Sequence, residues 1–184
     1  MTPRERLCRL LAERSLRIGD FELTSGRRSN FYIDCRATTM HAEGLVLIGE
    51  VALDVLDGER LSPDLIGGLT MGADPIAYAV AAESWRRGRQ IHAFSVRKQA
   101  KRHGHGRRID GCFEPGARVV VVEDVITTGG SALQACAAVS DAGGSVLAVL
   151  ALVDRLEGGR EAIEAAGHPV LVMFDVNALR ACAR

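Results

Sequence analysis

The most constraining feature of this sequence is a continuous run of β-branched residues, RVVVV at 118–122. The run lacks the alternation of a strand with one face in water, and it is typical of strands that are buried on both faces. Sheets buried in this way are mostly parallel, because the crossover connections between parallel strands place helices on them. Short apolar segments at 64–67, 91–96, 145–153 and 169–174 predict further strands of the same sheet.

Segments with helical periodicity lie between these strands. They predict helices over 3–14, 44–57, 75–86, about 130–142 and 157–166, with a short helix at 177–184. Residues 21–36 read as two short strands around the Ser25-Gly26 turn. The alternation predicts an α/β fold with a mostly parallel central sheet flanked by helices. Its 184 residues suffice for one domain, 1–184, in which about 1–40 form an N-terminal helix and a small covering segment, the hood.

Composition excludes several classes of protein. Twenty-three basic residues balance 23 acidic residues, so no net charge attracts nucleic acid. No apolar run approaches the roughly 18 residues of a membrane span, and the charged start MTPRERLCRLLAER is unlike a signal peptide. A cytoplasmic protein without membrane contact is expected. The five cysteines are scattered without a C-x-x-C pair, so reduced thiols are expected.

The segment that follows the valine run is the first candidate site. Ligands of open α/β sheets bind beyond the carboxyl ends of the strands. Glu123 and Asp124 stand at such an end, with side chains predicted on opposite faces, and carboxylates are strong acceptors for the hydroxyl groups of a sugar. The small residues Thr128 to Ser131 allow backbone N–H groups and a helix start to approach an anion. Together they predict a site for a ribose and its 5'-phosphate, without the lysine of a Walker loop and without a G-x-G-x-x-G fingerprint.

A second candidate is the basic segment RKQAKRHGHGRRID at 97–110, which has no apolar period and predicts a mobile loop. Both lysines of the chain, Lys98 and Lys101, lie there, although the other 21 basic residues are arginines.

These motifs carry a family resemblance. VVVVEDVITTGGS closely resembles the phosphoribosyl-pyrophosphate signature of type I phosphoribosyltransferases. Three other segments precede this signature in the chain. They are FELTSGRRSNFYIDCR near the N-terminus, GGLTMGADPIAYAVA in the middle and the basic loop FSVRKQAKRHGHGRRIDG. The four motifs, in this order, resemble those of orotate phosphoribosyltransferases. The resemblance extends from about residue 21 to 155. It implies transfer of the phosphoribosyl group from phosphoribosyl pyrophosphate to orotate, which gives orotidine 5'-monophosphate and pyrophosphate in pyrimidine (UMP) biosynthesis.

The same resemblance assigns roles to residues. Arg97, Lys98, Lys101 and His103 match loop residues that contact the pyrophosphate, and Arg97, Lys101 and Asp124 are the expected catalytic groups. The ribose and its phosphate are assigned to the segment from β-strand end to helix start, namely Glu123, Asp124, Val125, Ile126, Thr127, Thr128, Gly129, Gly130 and Ser131. Arg155 matches the contact to the orotate carboxylate and Thr127 a further orotate contact, while Tyr32 or Phe31 would form the wall of the base pocket.

The resemblance also implies a cofactor and a partner. The turn GLTMGADP at 68–75 would meet the pyrophosphate, yet it lacks the lysine that some relatives carry there, and Thr24 stands where many have another lysine. Mg²⁺ is expected to supply the missing charge, held mainly by substrate phosphates and ribose hydroxyls and without a dedicated protein site. A homodimer whose basic loop reaches across the interface is expected.

Three alternatives differ from this interpretation. A sister transferase for another base would not need Arg155, since a neutral base has no carboxylate to pair. A phosphoribosyl-pyrophosphate sensor or transcriptional regulator would need a DNA-binding extension or a basic surface. A nucleic-acid module built on 97–110 would need aromatic residues for stacking, and that segment has none.

Overall fold

A computed structural model describes residues 1–22, 26, 28–99 and 108–183. The helices are α1 (Pro3–Arg14), α2 (Arg36–Thr39), α3 (Ala42–Gly58), α4 (Ala73–Arg86), α5 (Gly130–Asp141), α6 (Gly159–Ala165) and α7 (Val176–Cys182). The strands are β1 (Leu16–Glu22), β2 (Arg28–Ile33), β3 (Leu65–Leu69), β4 (His92–Val96), β5 (Ile109–Gly111), β6 (Arg118–Ile126), β7 (Ser145–Asp154) and β8 (Val170–Asp175).

The central sheet has the strand order β5-β4-β3-β6-β7-β8. The β4–β3, β3–β6, β6–β7 and β7–β8 pairs are parallel, and β5 alone runs antiparallel, along the edge of β4. A mostly parallel sheet flanked by helices is therefore confirmed. Its strand order places β3, β6 and β7 side by side, so their carboxyl ends meet at one edge.

The valine run of β6 is buried on both faces, as predicted. Val120 and Val122 belong to a hydrophobic cluster that includes α1, α3, α4 and α7. Val119 and Val121 face the opposite cluster, to which α5 and α6 contribute. Because successive side chains of a strand point to opposite faces, this run joins both cores and holds the end of β6 between them.

Several predicted elements differ in extent. The two strands of the hood begin earlier than residue 21 and end before 36, because β1 starts at Leu16 and pairs antiparallel with β2. The prediction of a loop over the whole of 97–110 is wrong at its end, where β5 begins at Ile109. A strand of three residues is too short to show periodicity. The short helix α2 was also missed.

The expectation of five reduced thiols is wrong for Cys8 and Cys182, which form a disulfide bond. Their Cα atoms lie 6.1 Å apart although 174 positions separate them in sequence. The bond joins α1 to α7, while Cys35, Cys112 and Cys136 are free thiols. Within the described ranges, no helix is long and apolar enough to cross a membrane.

Candidate active site

Three chain segments leave the sheet at the same edge. The turn 70–72 follows β3, the segment 123–131 includes the end of β6, and Arg155 follows β7 directly. Since β6 pairs with both β3 and β7, the segment 123–131 lies between the other two. The turn after β3, the segment 123–131 and Arg155 are thus brought to one edge, and Phe31 in β2 of the hood contacts Arg155.

Glu123 and Asp124 form a mostly buried acid pair. Their side chains have different surroundings, because Glu123 lines a cavity with residues 125–131 whereas Asp124 lies beside Gly72 of the turn after β3. Burial, reinforced by Asp124, raises the pKa of Glu123 to about 8. Burial also raises the pKa of Asp124, against the backbone N–H of Val125, which donates to Asp124 Oδ1 at 2.9 Å. Near neutral pH the carboxyl group of Glu123 is therefore largely protonated.

The turn after β3 approaches this pair closely. A Cβ atom added at Gly72 would lie 2.6 Å from Asp124 Oδ1, so only glycine allows the backbone of the turn to come this near. Asp74 fixes the turn by accepting hydrogen bonds from the Thr70 hydroxyl and, at 2.6 Å, from Ser95 Oγ. The lysine-free turn therefore presents backbone to the acid pair.

The turn before α5 is held by a backbone contact with the start of α6. Gly129 caps the helix with a φ of 80°, in the left-handed region that favours glycine. A Cβ at Gly159, the first residue of α6, would lie 2.4 Å from the Thr127 carbonyl oxygen, so the two turns are in direct backbone contact. Thr128, Gly130 and Ser131 stay exposed. Glu123 and residues 125–131 line a small cavity of about 30 Å³, beside the N-terminal N–H groups of α5. This is the geometry expected of an anion site.

Arg155 is a buried cation at the same edge. It is 6% exposed, and its Nε and Nη2 lie 3.0 and 2.8 Å from Glu157 Oε1. Nη2 is itself buried and has no aligned hydrogen-bond acceptor among the described residues, although Glu157 Oε1 lies within ion-pair distance. The guanidinium carbon lies 4.7 Å from the centre of the Phe31 ring. Buried arginines of this kind suit planar carboxylates.

The two aromatic candidates of the hood have different surroundings. Phe31 is 8% exposed and contacts Arg155, whereas Tyr32 is 39% exposed and its ring centre lies 5.8 Å from that of Phe21. Phe31 is thus the aromatic residue that contacts the predicted carboxylate-binding arginine, and the wall role of Tyr32 stays a prediction.

The basic loop is described only at its ends. Arg97 forms an ion pair with Asp110 of β5 at 2.5 Å, and its backbone N–H donates to the Arg108 carbonyl at 2.8 Å. Lys98 is exposed. Lys101 and His103 lie outside the described residues, so their predicted contacts stay predictions.

Sequence reasoning missed three features of this site. Gly72 and Gly159 provide close backbone approaches, for which glycine at a strand-to-helix turn was the available signal. Arg180 of α7 lies 4.7 Å from the centre of the Phe31 ring, and no local pattern indicates a contact between residues so distant in sequence.

Comparison with known proteins agrees with the site. No protein-family model matches the chain. An orotate phosphoribosyltransferase of Aquifex aeolicus is 46% identical over 182 residues, covering 97% of this chain and 98% of the relative. An orotate phosphoribosyltransferase of Mycobacterium tuberculosis, solved with Fe(III) dicitrate, is 42% identical with a TM-score of 0.86, and covers 97% and 99% of the two chains. A structure of that protein in complex with phosphoribosyl pyrophosphate gives 38% identity, a TM-score of 0.82 and the same coverage. This chain belongs to the orotate phosphoribosyltransferase family.

Proposed function

We propose that this protein is a pentosyltransferase that joins orotate to the 5-phosphoribosyl group of phosphoribosyl pyrophosphate, giving orotidine 5'-monophosphate and pyrophosphate in pyrimidine biosynthesis. The observation that carries the proposal is a single sheet edge that combines a pair of acids, a glycine-containing turn at a helix start and a buried arginine. The proposal treats residues 1–184 as one catalytic domain.

The segment 123–131 holds the ribose phosphate in this mechanism. Asp124 and Glu123 accept hydrogen bonds from the ribose hydroxyls, and the exposed backbone of 128–131 binds the 5'-phosphate with the dipole of α5. Positioning the sugar in this way fixes the anomeric carbon, where the bond to the pyrophosphate oxygen breaks and the bond to orotate N1 forms. The negative acid pair also stabilises the positive charge that develops on the ribose.

Arg155 supplies specificity for the base. Its guanidinium donates to the orotate carboxylate, while the Phe31 ring packs against the guanidinium and limits its movement. A base without the carboxylate would leave the buried guanidinium of Arg155 with Glu157 as its single charged partner, so neutral bases are disfavoured.

The basic loop stabilises the leaving group. Arg97, Lys98, Lys101 and His103 neutralise the pyrophosphate as its bond to the sugar breaks. The Arg97–Asp110 ion pair holds the start of the loop, and it must loosen if the guanidinium is to reach the pyrophosphate. Lys101→Ala should therefore lower turnover far more than it lowers the melting temperature, whereas Arg160→Ala, an exposed arginine of α6, should change neither. Unchanged turnover in Lys101→Ala would contradict the role.

Mg²⁺ is the proposed cofactor. The described residues contain no cluster of three or more His, Cys, Asp or Glu that could hold a metal ion. The donor set is nevertheless suitable, since Mg²⁺ commonly takes one or two carboxylates and completes its shell with substrate phosphates and water. Asp124 and Glu123 are the carboxyl groups available at the site. When bound, the ion would neutralise charge on the pyrophosphate.

A homodimer with a shared basic loop is part of the proposal, supported by the family. It is tested by mixing two inactive variants, Lys101→Ala and Arg155→Gln. If the loop acts across the interface, each mixed dimer contains one complete site, and about a quarter of the activity returns after random exchange. A loop that acts within its own subunit restores none.

A cytoplasmic location also stays a proposal. It is tested by cell fractionation, with the redox state of Cys8 and Cys182 measured in the same fractions.

The main test is the loss of near-ultraviolet absorbance of orotate when phosphoribosyl pyrophosphate and Mg²⁺ are added, with adenine, hypoxanthine and uracil as competing acceptors. A fast loss that depends on Mg²⁺ and is specific to orotate supports the proposal. If no base reacts while phosphoribosyl pyrophosphate still raises the melting temperature, the protein is a sensor of that ligand and the proposed activity is wrong.

A further inference from the structure

Phe31 connects two arginines from distant parts of the chain. Arg155 follows β7 at the active-site edge, and Arg180 belongs to α7 near the C-terminus. The guanidinium carbon of each lies 4.7 Å from the centre of the same ring. The face of an aromatic ring attracts a cation, so both contacts stabilise one position of the ring.

Arg180 is fixed independently of Phe31. Its Nη2 donates to Asn30 Oδ1 at 2.8 Å, which anchors the guanidinium beside the neighbouring residue of β2. Its helix is held on both sides of Arg180, since Leu179 is fully buried and Cys182 is bonded to Cys8 of α1. Arg180 therefore links α7 to the Phe31 ring by direct contact.

Arg155 depends on that ring. Its only ion pair among the described residues is with Glu157, which approaches Nε and Nη2 and leaves the rest of the guanidinium without a charged partner. Packing against Phe31 is the contact that limits the remaining freedom of the group. If the ring moves, the N–H groups that would meet a planar carboxylate lose their orientation, and small misplacements are costly at a reacting site.

We propose that Arg180 is a positioning residue for the base: it acts through Phe31 to orient Arg155 toward the carboxylate of the acceptor. The inference rests on the proposed function, because it assumes that Arg155 binds that carboxylate. It assigns a role to α7, which contributes no residue to the ribose-phosphate segment.

The test is the steady-state kinetics of Arg180→Ala with each substrate varied in turn. We expect the KM for orotate to rise roughly 3- to 10-fold, the range of a lost cation–π contact, with the KM for phosphoribosyl pyrophosphate and the melting temperature nearly unchanged. Arg180→Lys, which keeps the charge, should recover part of the loss. The matched control is Arg4→Ala, since Arg4 of α1 lies 5.0 Å from the Phe174 ring and donates to the Met173 carbonyl without contacting Phe31.

A double-mutant cycle separates positioning from a general structural role. In a Phe31→Leu background, Arg180→Ala should add little to the KM for orotate, because the ring that relays its effect is gone. Additive effects would overturn the inference, as would equal increases of both KM values or an unchanged KM in Arg180→Ala. If the wild-type protein turns over orotate and Arg180→Ala behaves like Arg4→Ala, only this inference fails. A wild-type protein that leaves orotate unreacted overturns the proposed function and this inference together.

Discussion

The protonated state of Glu123 makes the stability of the protein depend on pH. The ordinary pKa of a glutamate is 4.5, and burial beside Asp124 raises it to about 8 in the folded chain. Between these two values the folded state binds more protons than the unfolded state, so the free energy of unfolding must fall as pH rises. At about 1.4 kcal/mol per pKa unit, the loss from this one group between about pH 5 and pH 8 is about 3 to 4 kcal/mol.

The perturbation that isolates this effect is Glu123→Gln, which keeps the shape of the side chain and removes its titration. Urea unfolding of the wild type and of the variant, followed over the same pH series, gives the difference in unfolding free energy at each pH. That difference should change by about 3 kcal/mol across the interval, in the direction that favours the wild type at low pH. Glu161→Gln serves as the control, because Glu161 is an exposed residue of α6.

Parallel pH profiles for the wild type and Glu123→Gln would refute the reasoning. They would mean that Glu123 ionises with a similar pKa in both states, and hence that the acid pair is open to water. The opposite slope, with the wild type gaining stability as pH rises, would indicate a cation beside the pair instead of a second acid.

Two further changes test the packing around the site. Gly159→Ala places a Cβ atom 2.4 Å from the Thr127 carbonyl oxygen, so the turn before α5 should shift, with a stability loss of about 1–3 kcal/mol and weaker binding of phosphoribosyl pyrophosphate by calorimetric titration. Gly58→Ala, whose Cβ meets nothing within 4 Å, should leave both unchanged, and equal affinity in Gly159→Ala would contradict the close contact. Reduction of the Cys8–Cys182 bond, which spans 174 positions, should lower the unfolding free energy by about 5 kcal/mol in the chain-entropy model, and Cys8→Ser should reproduce the loss. A melting temperature that is insensitive to dithiothreitol would show that the bond does not form.

The sequence predicted the parts of the fold that depend on periodicity. The valine run predicted a central position for β6 because it does not alternate with polar residues, so both of its faces must be buried. It also located the acid pair and the small-residue turn, since a strand end in a parallel sheet is a defined position. The three residues of β5 were missed because an edge strand of that length contains no repeat to detect.

Other features depend on contacts between distant segments. The raised pKa of Glu123 comes from burial and from the neighbouring charge of Asp124, and strand alternation alone indicates neither the depth of burial nor the shift. The Cys8–Cys182 bond requires α1 and α7 to be neighbours, which no spacing in the sequence indicates. The same is true of Arg180, whose partner Asn30 is 150 positions away.

The two halves of the site are therefore held by different parts of the molecule. The segment 123–131, which is proposed to hold the ribose phosphate, is positioned by β6, which packs between both hydrophobic clusters, and by the backbone contact between Thr127 and Gly159. Arg155, the proposed contact to the base, packs against Phe31, and the same ring contacts Arg180 of α7. Because α7 is attached to α1 by the disulfide bond, we expect a change in either terminal helix to affect Arg155 before it affects the segment 123–131. Loosening these helices should therefore weaken selection of the acceptor base before it weakens binding of the ribose donor.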